Sequence, residues 1–248
     1  MDPLATGVLV LGIGCLTKLD DFDIFDTKEY VADVLIGTKT DTYDVDGNVL
    51  DRKDVIVNRD DIEKVLESFN KTYMQEVPIY SAVKVNGKKL YEYARNNEKV
   101  QLPKKEVTIS NMKLISMYSK NNNNYFQFSC TVSKGTYIRS LINDMSYELG
   151  VYLCMSDLKR VRQGNFLLED ANCLADIESG NIKFLDITDV LLVKKMVIPN
   201  YLYKKIMSGN LFDDFLEDYI LFTDDDGGYI VLYKRVDEVM RPCFFFKN

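Results

Sequence analysis

The sequence predicts an α+β protein: one main domain mixing strands and helices, then a smaller β-rich segment. Three observations predict it. Apolar and polar residues alternate in strand fashion through residues 107–119 and 125–133. Two stretches, around residues 60–69 and 138–149, place apolar side chains along one helical face. The tail beyond Pro199 holds three short strand-like runs, at 219–223, 229–235 and 242–246, split by Asp224-Asp225-Asp226-Gly227-Gly228. The chain has 248 residues, 46% of them hydrophobic, which suffices for one sizeable core and a small second one.

In chain order, Asp2-Pro3 opens a polar turn that runs into an apolar strand predicted over residues 8–13 and ending at Gly12 and Gly14. A Gly-x-Gly after a strand hints at a dinucleotide site, but Thr17 stands where the third glycine belongs. Residues 28–37 form a second predicted strand with Tyr30 near its start. Residues 38–48, with Asp41, Asp44, Asp46 and Gly47, read as a polar loop whose spacing fails as a calcium loop. Asp60-Asp61 are expected to cap a helix that turns Ile62, Val65, Leu66 and Phe69 inward. Residues 78–87 read as a strand that turns at Asn86-Gly87, and residues 88–95 as a short helix mixing Lys88, Lys89 and Arg95 with Tyr91 and Tyr93. A long hairpin turns within residues 121–124, with Phe126, Phe128, Cys130 and Val132 facing the core. Ser133 to Arg139 then leads into a helix carrying Leu141, Ile142, Met145 and Leu149 and stopping at Gly150. A basic strip at residues 158–162 follows.

Composition narrows the chemistry. No apolar run reaches the roughly 18 residues needed to cross a bilayer, and the N-terminus lacks a secretion pattern, so a cytoplasmic protein with no membrane partner is expected. The five cysteines are scattered without a Cys-x-x-Cys pair, and the chain has no histidine. They read as reduced, mostly buried thiols, with no metal site expected. Nucleophile systems that need histidine are excluded, which leaves carboxylate, tyrosine or lysine for acid–base work. Asp2, fixed by Pro3, is placed to be a reactive carboxylate; Asp before Pro also starts turns, and the residues alone leave both readings open.

Charge is unevenly spread. The net charge is −7, yet residues 84–162 carry a net +8 between acidic flanks. Such a segment suits a phosphate-binding face, and equally a solvated lysine-rich one. Interleaved cations and rings at residues 88–95 suit RNA, where cations meet phosphates and rings stack on bases. Arg139 falls in the first turn of its helix, an end whose dipole disfavours a cation, which suggests a carboxylate holding it there and is equally compatible with an exposed arginine.

Taken together, Asp2-Pro3-Leu4-Ala5-Thr6-Gly7-Val8-Leu9, Lys28-Glu29-Tyr30, Tyr80-Ser81-Ala82-Val83-Lys84, Gly87-Lys88-Lys89-Leu90-Tyr91-Glu92-Tyr93-Ala94-Arg95, Lys134-Gly135-Thr136-Tyr137-Ile138-Arg139 and Leu158-Lys159-Arg160 resemble the ordered motifs of the TruB family of tRNA pseudouridine synthases. Each motif is weak alone; the ordered set is specific. The resemblance implies the pseudouridine synthase fold, a central, mostly antiparallel sheet flanked by helices over residues 1–190, with a small PUA-like β domain over 191–248. It implies isomerisation of the uridine at position 55 in the TΨC arm of tRNA by base flipping, with no cofactor and no metal. By the same resemblance Asp2 initiates the break between base and ribose, Tyr30 stacks on the flipped base, and Arg139 pairs with Asp2. Phosphates and bases are expected on Lys84, Lys88, Lys89, Tyr91, Arg95, Lys134, Tyr137, Lys159 and Arg160. The partner implied is tRNA alone, bound by a monomer.

Two departures from the family pattern stand out. Met1 falls where the family has the leucine of a His-x-Gly-Thr-Leu segment, so the resemblance implies an N-terminally short chain without the usual first strand. Cys154 stands where a histidine is usual. The alternative reading is therefore a catalytically impaired tRNA-binding protein or RNA chaperone of the same fold.

Overall fold

The computed structural model describes residues 3–14, 16–17, 27–186, 190 and 193–246. The chain divides into two compact units, one of Met1–Val10 with Asp23–Ala171, the other of Leu11–Phe22 with Asn172–Asn248.

The first unit is built on a twisted sheet. Its strands are β1 (Ala5–Gly7), β2 (Lys28–Ile36), β5 (Thr72–Glu76), β8 (Lys104–Lys120), β9 (Asn123–Val132), β10 (Leu153–Gln163) and β11 (Phe166–Leu167). Between them lie two small ribbons, β3 (Thr38–Thr40) with β4 (Val49–Arg52), and β6 (Lys84–Val85) with β7 (Lys88–Lys89). The main path runs β1-β10-β2-β9-β8-β5, with β11 on β10. Every pair in it is antiparallel except β1 with β10, which is parallel.

Alternation explains which face is buried. Tyr30, Ala32, Val34 and Ile36 of β2 and Phe126, Phe128, Cys130 and Val132 of β9 point into one core. Helices α1 (Arg59–Ser68) and α3 (Ile138–Leu149) cover that face with Ile62, Val65 and Leu66 and with Leu141, Ile142 and Met145. Hence the hairpin of β8 and β9 and both helices match expectation. The hairpin turn is tight: Asn121 and Asn122 adopt φ of 50° and 60°, left-handed values that asparagine tolerates. Gly150 ends α3 at φ 67°.

Several local expectations are corrected. The N-terminal strand is Ala5–Gly7, not residues 8–13, where Leu9, Leu11 and Ile13 are exposed. Its last backbone bond to β10 is from the Val8 N–H to the Arg160 carbonyl at 2.9 Å. Asn58, rather than Asp60 or Asp61, caps α1, accepting from the Asp61 N–H; the two aspartates occupy the first turn, where they suit the helix dipole. The strand expected over 78–87 shrinks to Lys84–Val85, because the turn at Asn86-Gly87 pairs only two residues a side before α2 (Leu90–Arg95) begins. Of the four described cysteines, Cys130 and Cys154 are buried, but Cys173 and Cys243 are exposed.

The second unit has its own core. Strands β12 (Lys194–Val197), β13 (Tyr219–Thr223), β14 (Tyr229–Val236) and β15 (Val239–Phe245) form one sheet in that order. Phe222, Tyr233, Phe212 and Met240 pack there with Ile206. The sequence reading missed β12, whose Lys194-Lys195-Met196-Val197 offers only two apolar residues.

Candidate active site and RNA-facing surface

The site is assembled across the parallel edge of the main sheet. In register, Gly7 of β1 lies opposite Arg160 of β10, which in turn lies opposite Tyr30 of β2. Strands about 4.8 Å apart therefore bring the segment after Asp2-Pro3 within roughly 10 Å of Tyr30. Asp2 itself lies outside the described residues.

Gly7 is required where it stands. Its φ is +97°, and a Cβ there would sit 2.1 Å from the Arg160 carbonyl oxygen, a backbone atom that cannot swing away. Arg160 adds a second clasp, its Nε donating to the Val8 carbonyl at 2.7 Å. At 6% exposure Arg160 anchors the N-terminal segment, and the phosphate contact expected for it is not what its surroundings offer. Tyr30, at 9% exposure, belongs to the core cluster, with its ring among apolar neighbours.

Arg139 is where a cation at a helix start needs a carboxylate, and it has one. Its Nη1 donates to Asp44 Oδ2 at 3.2 Å and to the Thr42 carbonyl at 3.3 Å, and its Nη2 donates to the Tyr80 carbonyl at 3.2 Å. Both side chains of the pair are more than nine-tenths buried. The carboxylate seen is thus Asp44; the pairing with Asp2 lies outside the described residues. Sequence reasoning passed over Asp44 as one more acid of a failed calcium loop.

The loop around Asp44 is shaped to present it. The Thr42 hydroxyl donates to Asp44 Oδ1 at 2.6 Å, and the Asp46 N–H donates to the same oxygen at 3.2 Å. Tyr43 between them adopts φ 65°, an uncommon conformation for a bulky side chain. Its carbonyl accepts from Met155 N at 2.9 Å, and Val45 N returns a bond to the Met155 carbonyl at 2.9 Å, which fastens the loop to β10. The Thr-x-Asp step at residues 42–44 marks a local turn and gives no sign in the sequence that Asp44 meets Arg139. Cys154, beside it on β10, is fully buried, and burial pushes its thiol up to about 12, so it is inert as a nucleophile.

The cations expected to meet RNA fall into a different environment. Lys84, Arg95, Lys134 and Lys159 are exposed, and Lys88 and Lys89 are half-buried. Two rings organise the 88–95 stretch. Tyr91 has the Lys89 ammonium 5.5 Å and the Arg95 guanidinium 5.2 Å from its centroid, and Tyr93 has Lys88 at 4.7 Å. Lys88 also pairs with Glu98 at 2.6 Å. The rings thus hold the cations in place. Tyr137 is half-buried at the N-cap of α3, where burial raises its hydroxyl.

Similarity to known proteins bears on this arrangement. The family described as TruB family pseudouridylate synthase (N terminal domain) matches residues 1–138. The chain belongs to the TruB family. A tRNA pseudouridine synthase B of Staphylococcus aureus strain MSSA476 is 40% identical over 243 residues, covering 91% of this chain and 80% of that one. The same protein of strain JH9 is 39% identical over the same span. Among solved structures, a Cbf5-Nop10-Gar1 complex matches with a TM-score of 0.64 at 19% identity, over 95% of this chain and 68% of that one. An H/ACA ribonucleoprotein bound to a substrate RNA containing 2'-deoxyuridine matches at 0.56 and 16%, over 89% and 62%. These structural matches show the shared fold. As a TruB member the chain is an isomerase, a pseudouridine synthase with a mixed sheet and a separate small β domain. No helix among the described residues is long and apolar enough to cross a membrane.

Proposed function

We propose that this TruB enzyme isomerises the uridine at position 55 in the TΨC arm of tRNA to pseudouridine. The glycosidic bond moves from uracil N1 to C5; C5 gives up its proton and N1 ends with one, so the reaction balances without an oxidant or reductant. Asp2 is the carboxylate that initiates the break between base and ribose. Tyr30 supplies a ring for the extruded base to stack on, and Arg139 is the fixed cation of the site. A guanidinium carries five donors, so Asp44 and Asp2 can be served together.

The observation that carries this reading is the in-register row Gly7, Arg160, Tyr30, which fastens the strand following Asp2-Pro3 to the strand that bears the tyrosine. Extruding a base costs a few kcal/mol, offset by phosphate contacts. The exposed cations Lys84, Arg95, Lys134 and Lys159, with Lys88 and Lys89, are the groups we assign to them, and Tyr91 and Tyr137 flank that face.

The test is direct mapping. Unmodified tRNA is incubated with the full chain, pseudouridine is labelled with a carbodiimide, and reverse-transcription stops are read. A single new stop marking position 55 is expected. Stops at other uridines would refute the assigned position, and tight tRNA binding without any stop would favour an RNA chaperone of the same fold.

A further inference from the structure

Helix α3 starts without help from its own N-cap residue, since Tyr137 makes no side-chain capping bond. A side chain from another strand supplies the missing partner. Gln75 Oε1, on β5, accepts from the Tyr137 N–H at 2.8 Å. Its Nε2 donates to the Tyr73 hydroxyl at 2.9 Å, and that hydroxyl donates to Asp144 Oδ2 at 2.9 Å, back on α3. Gln75 is 1% exposed.

The direction of every bond in this chain is forced. A backbone N–H can only donate, so the Gln75 oxygen faces it and the amide nitrogen faces Tyr73. The phenol oxygen is then an acceptor, and its one proton points to Asp144. Two further ties join the same stretch to the first turn of α3: the Ser140 hydroxyl donates to the Glu76 carbonyl at 2.8 Å, and Arg139 Nη2 reaches the Tyr80 carbonyl at 3.2 Å. A buried amide is costly unless fully bonded, so an apolar residue would serve mere packing as well.

We infer that Gln75 is a positioning residue for Arg139: by its bond to the Tyr137 N–H, braced through Tyr73 and Asp144, it fixes where α3 begins, and therefore where the guanidinium meets the carboxylates of the site. Its effect on turnover rests on the reading that Arg139 serves the isomerase; its effect on Arg139 geometry does not.

The polarity of the chain provides the test. Gln75→Glu faces two carboxylates with a single phenol proton and breaks the sequence of bonds. Adding Asp144→Asn reverses it, because the new carboxylate takes both the Tyr137 N–H and the Tyr73 proton while the new amide donates to the Tyr73 oxygen. Two readouts are made on the full chain. The first is hydrogen-exchange protection of the Arg139 guanidinium by nitrogen-15 NMR, which requires no turnover. It should fall roughly tenfold in Gln75→Glu and return in the double variant. The second is the single-turnover rate on tRNA, expected to drop roughly tenfold and recover to within about threefold, with tRNA Kd unchanged within about twofold throughout. Should Gln75→Glu fail to fold, Tyr73→Phe keeps the ring against Phe69 and removes only the hydroxyl, and a loss of Arg139 protection is again expected. Unchanged protection in the single variants, or a double variant no better than Gln75→Glu, overturns the inference. A native chain inactive on every tRNA, with protection behaving as described, refutes the isomerase reading and leaves the positioning role standing.

Discussion

Arg139 and Arg95 both come from short segments that mix cations with tyrosines, yet they sit in opposite surroundings. Arg139 is buried against Asp44 at 3.2 Å, where its guanidinium also donates to the Thr42 and Tyr80 carbonyls. Arg95 is exposed and lies along the Tyr91 ring at 5.2 Å. A charge taken out of water is expensive and is kept only with a fixed opposite charge, so the first arginine carries geometry. An exposed cation costs little and contributes little to stability, which leaves the second for the phosphate contact proposed for it.

The largest effect is expected inside. Asp44→Ala removes the described carboxylate from the buried Arg139 guanidinium and should cost about 3–5 kcal/mol, read from urea unfolding. Replacing both, Asp44→Leu with Arg139→Met, should recover most of that stability while turnover stays lost; a double variant as unstable as the single would mean that the pair is not the source of the cost. Next comes the clasp of the N-terminal segment. Gly7→Ala pairs a left-handed backbone with a clash against the Arg160 carbonyl, and should cost about 2 kcal/mol or more and abolish turnover; normal unfolding and activity would contradict the register of β1 on β10.

At the surface the balance reverses. Lys89→Ala and Arg95→Ala should each change stability by about 0.5 kcal/mol or less. Each should weaken tRNA binding and reduce the slope of log K against log salt by about 1. An unchanged slope would place the RNA on another face.

The smallest effect concerns Asp144. Burial raises its carboxyl above the usual 3.8, opposed by the Tyr73 hydrogen bond. The folded protein therefore holds that proton more tightly than the unfolded chain, and stability falls as pH rises from 3.8 through the folded value. Asp144→Asn should flatten that decline by about 0.5 kcal/mol or less, given its partial exposure to solvent. A steeper decline in the variant would reverse the assigned cause.

The contrast between the two arginines also marks what could be read from the sequence. Periodicity located α1, α3 and the β8–β9 hairpin, because their apolar residues recur at the spacing that burial on one face demands. The place of Arg139 at a helix start suggested a carboxylate partner but fitted an exposed arginine equally well. Which carboxylate was not legible, since Asp44 lies 95 residues away in sequence and reaches it only through the attachment of its loop to β10. Gln75 shares its strand with Tyr73, but its bond to the Tyr137 N–H is set by how β5 meets α3, which no local pattern encodes. Residues 8–13 misled for the opposite reason: they look like a strand, but among the described residues only Val8 bonds to β10, and the strand is the shorter Ala5–Gly7. Arg160 was read as one of a basic strip, and its burial follows from a strand register that composition does not encode.

In the function proposed above, Asp2 performs the chemistry while the surface cations hold the RNA. Tritium release from tRNA labelled at uracil C5 tests it most directly, measured beside tRNA binding for Asp2→Asn. Release should be abolished while Kd stays within about twofold of the native chain. Parallel loss of release and binding, or release at the native rate, would contradict it.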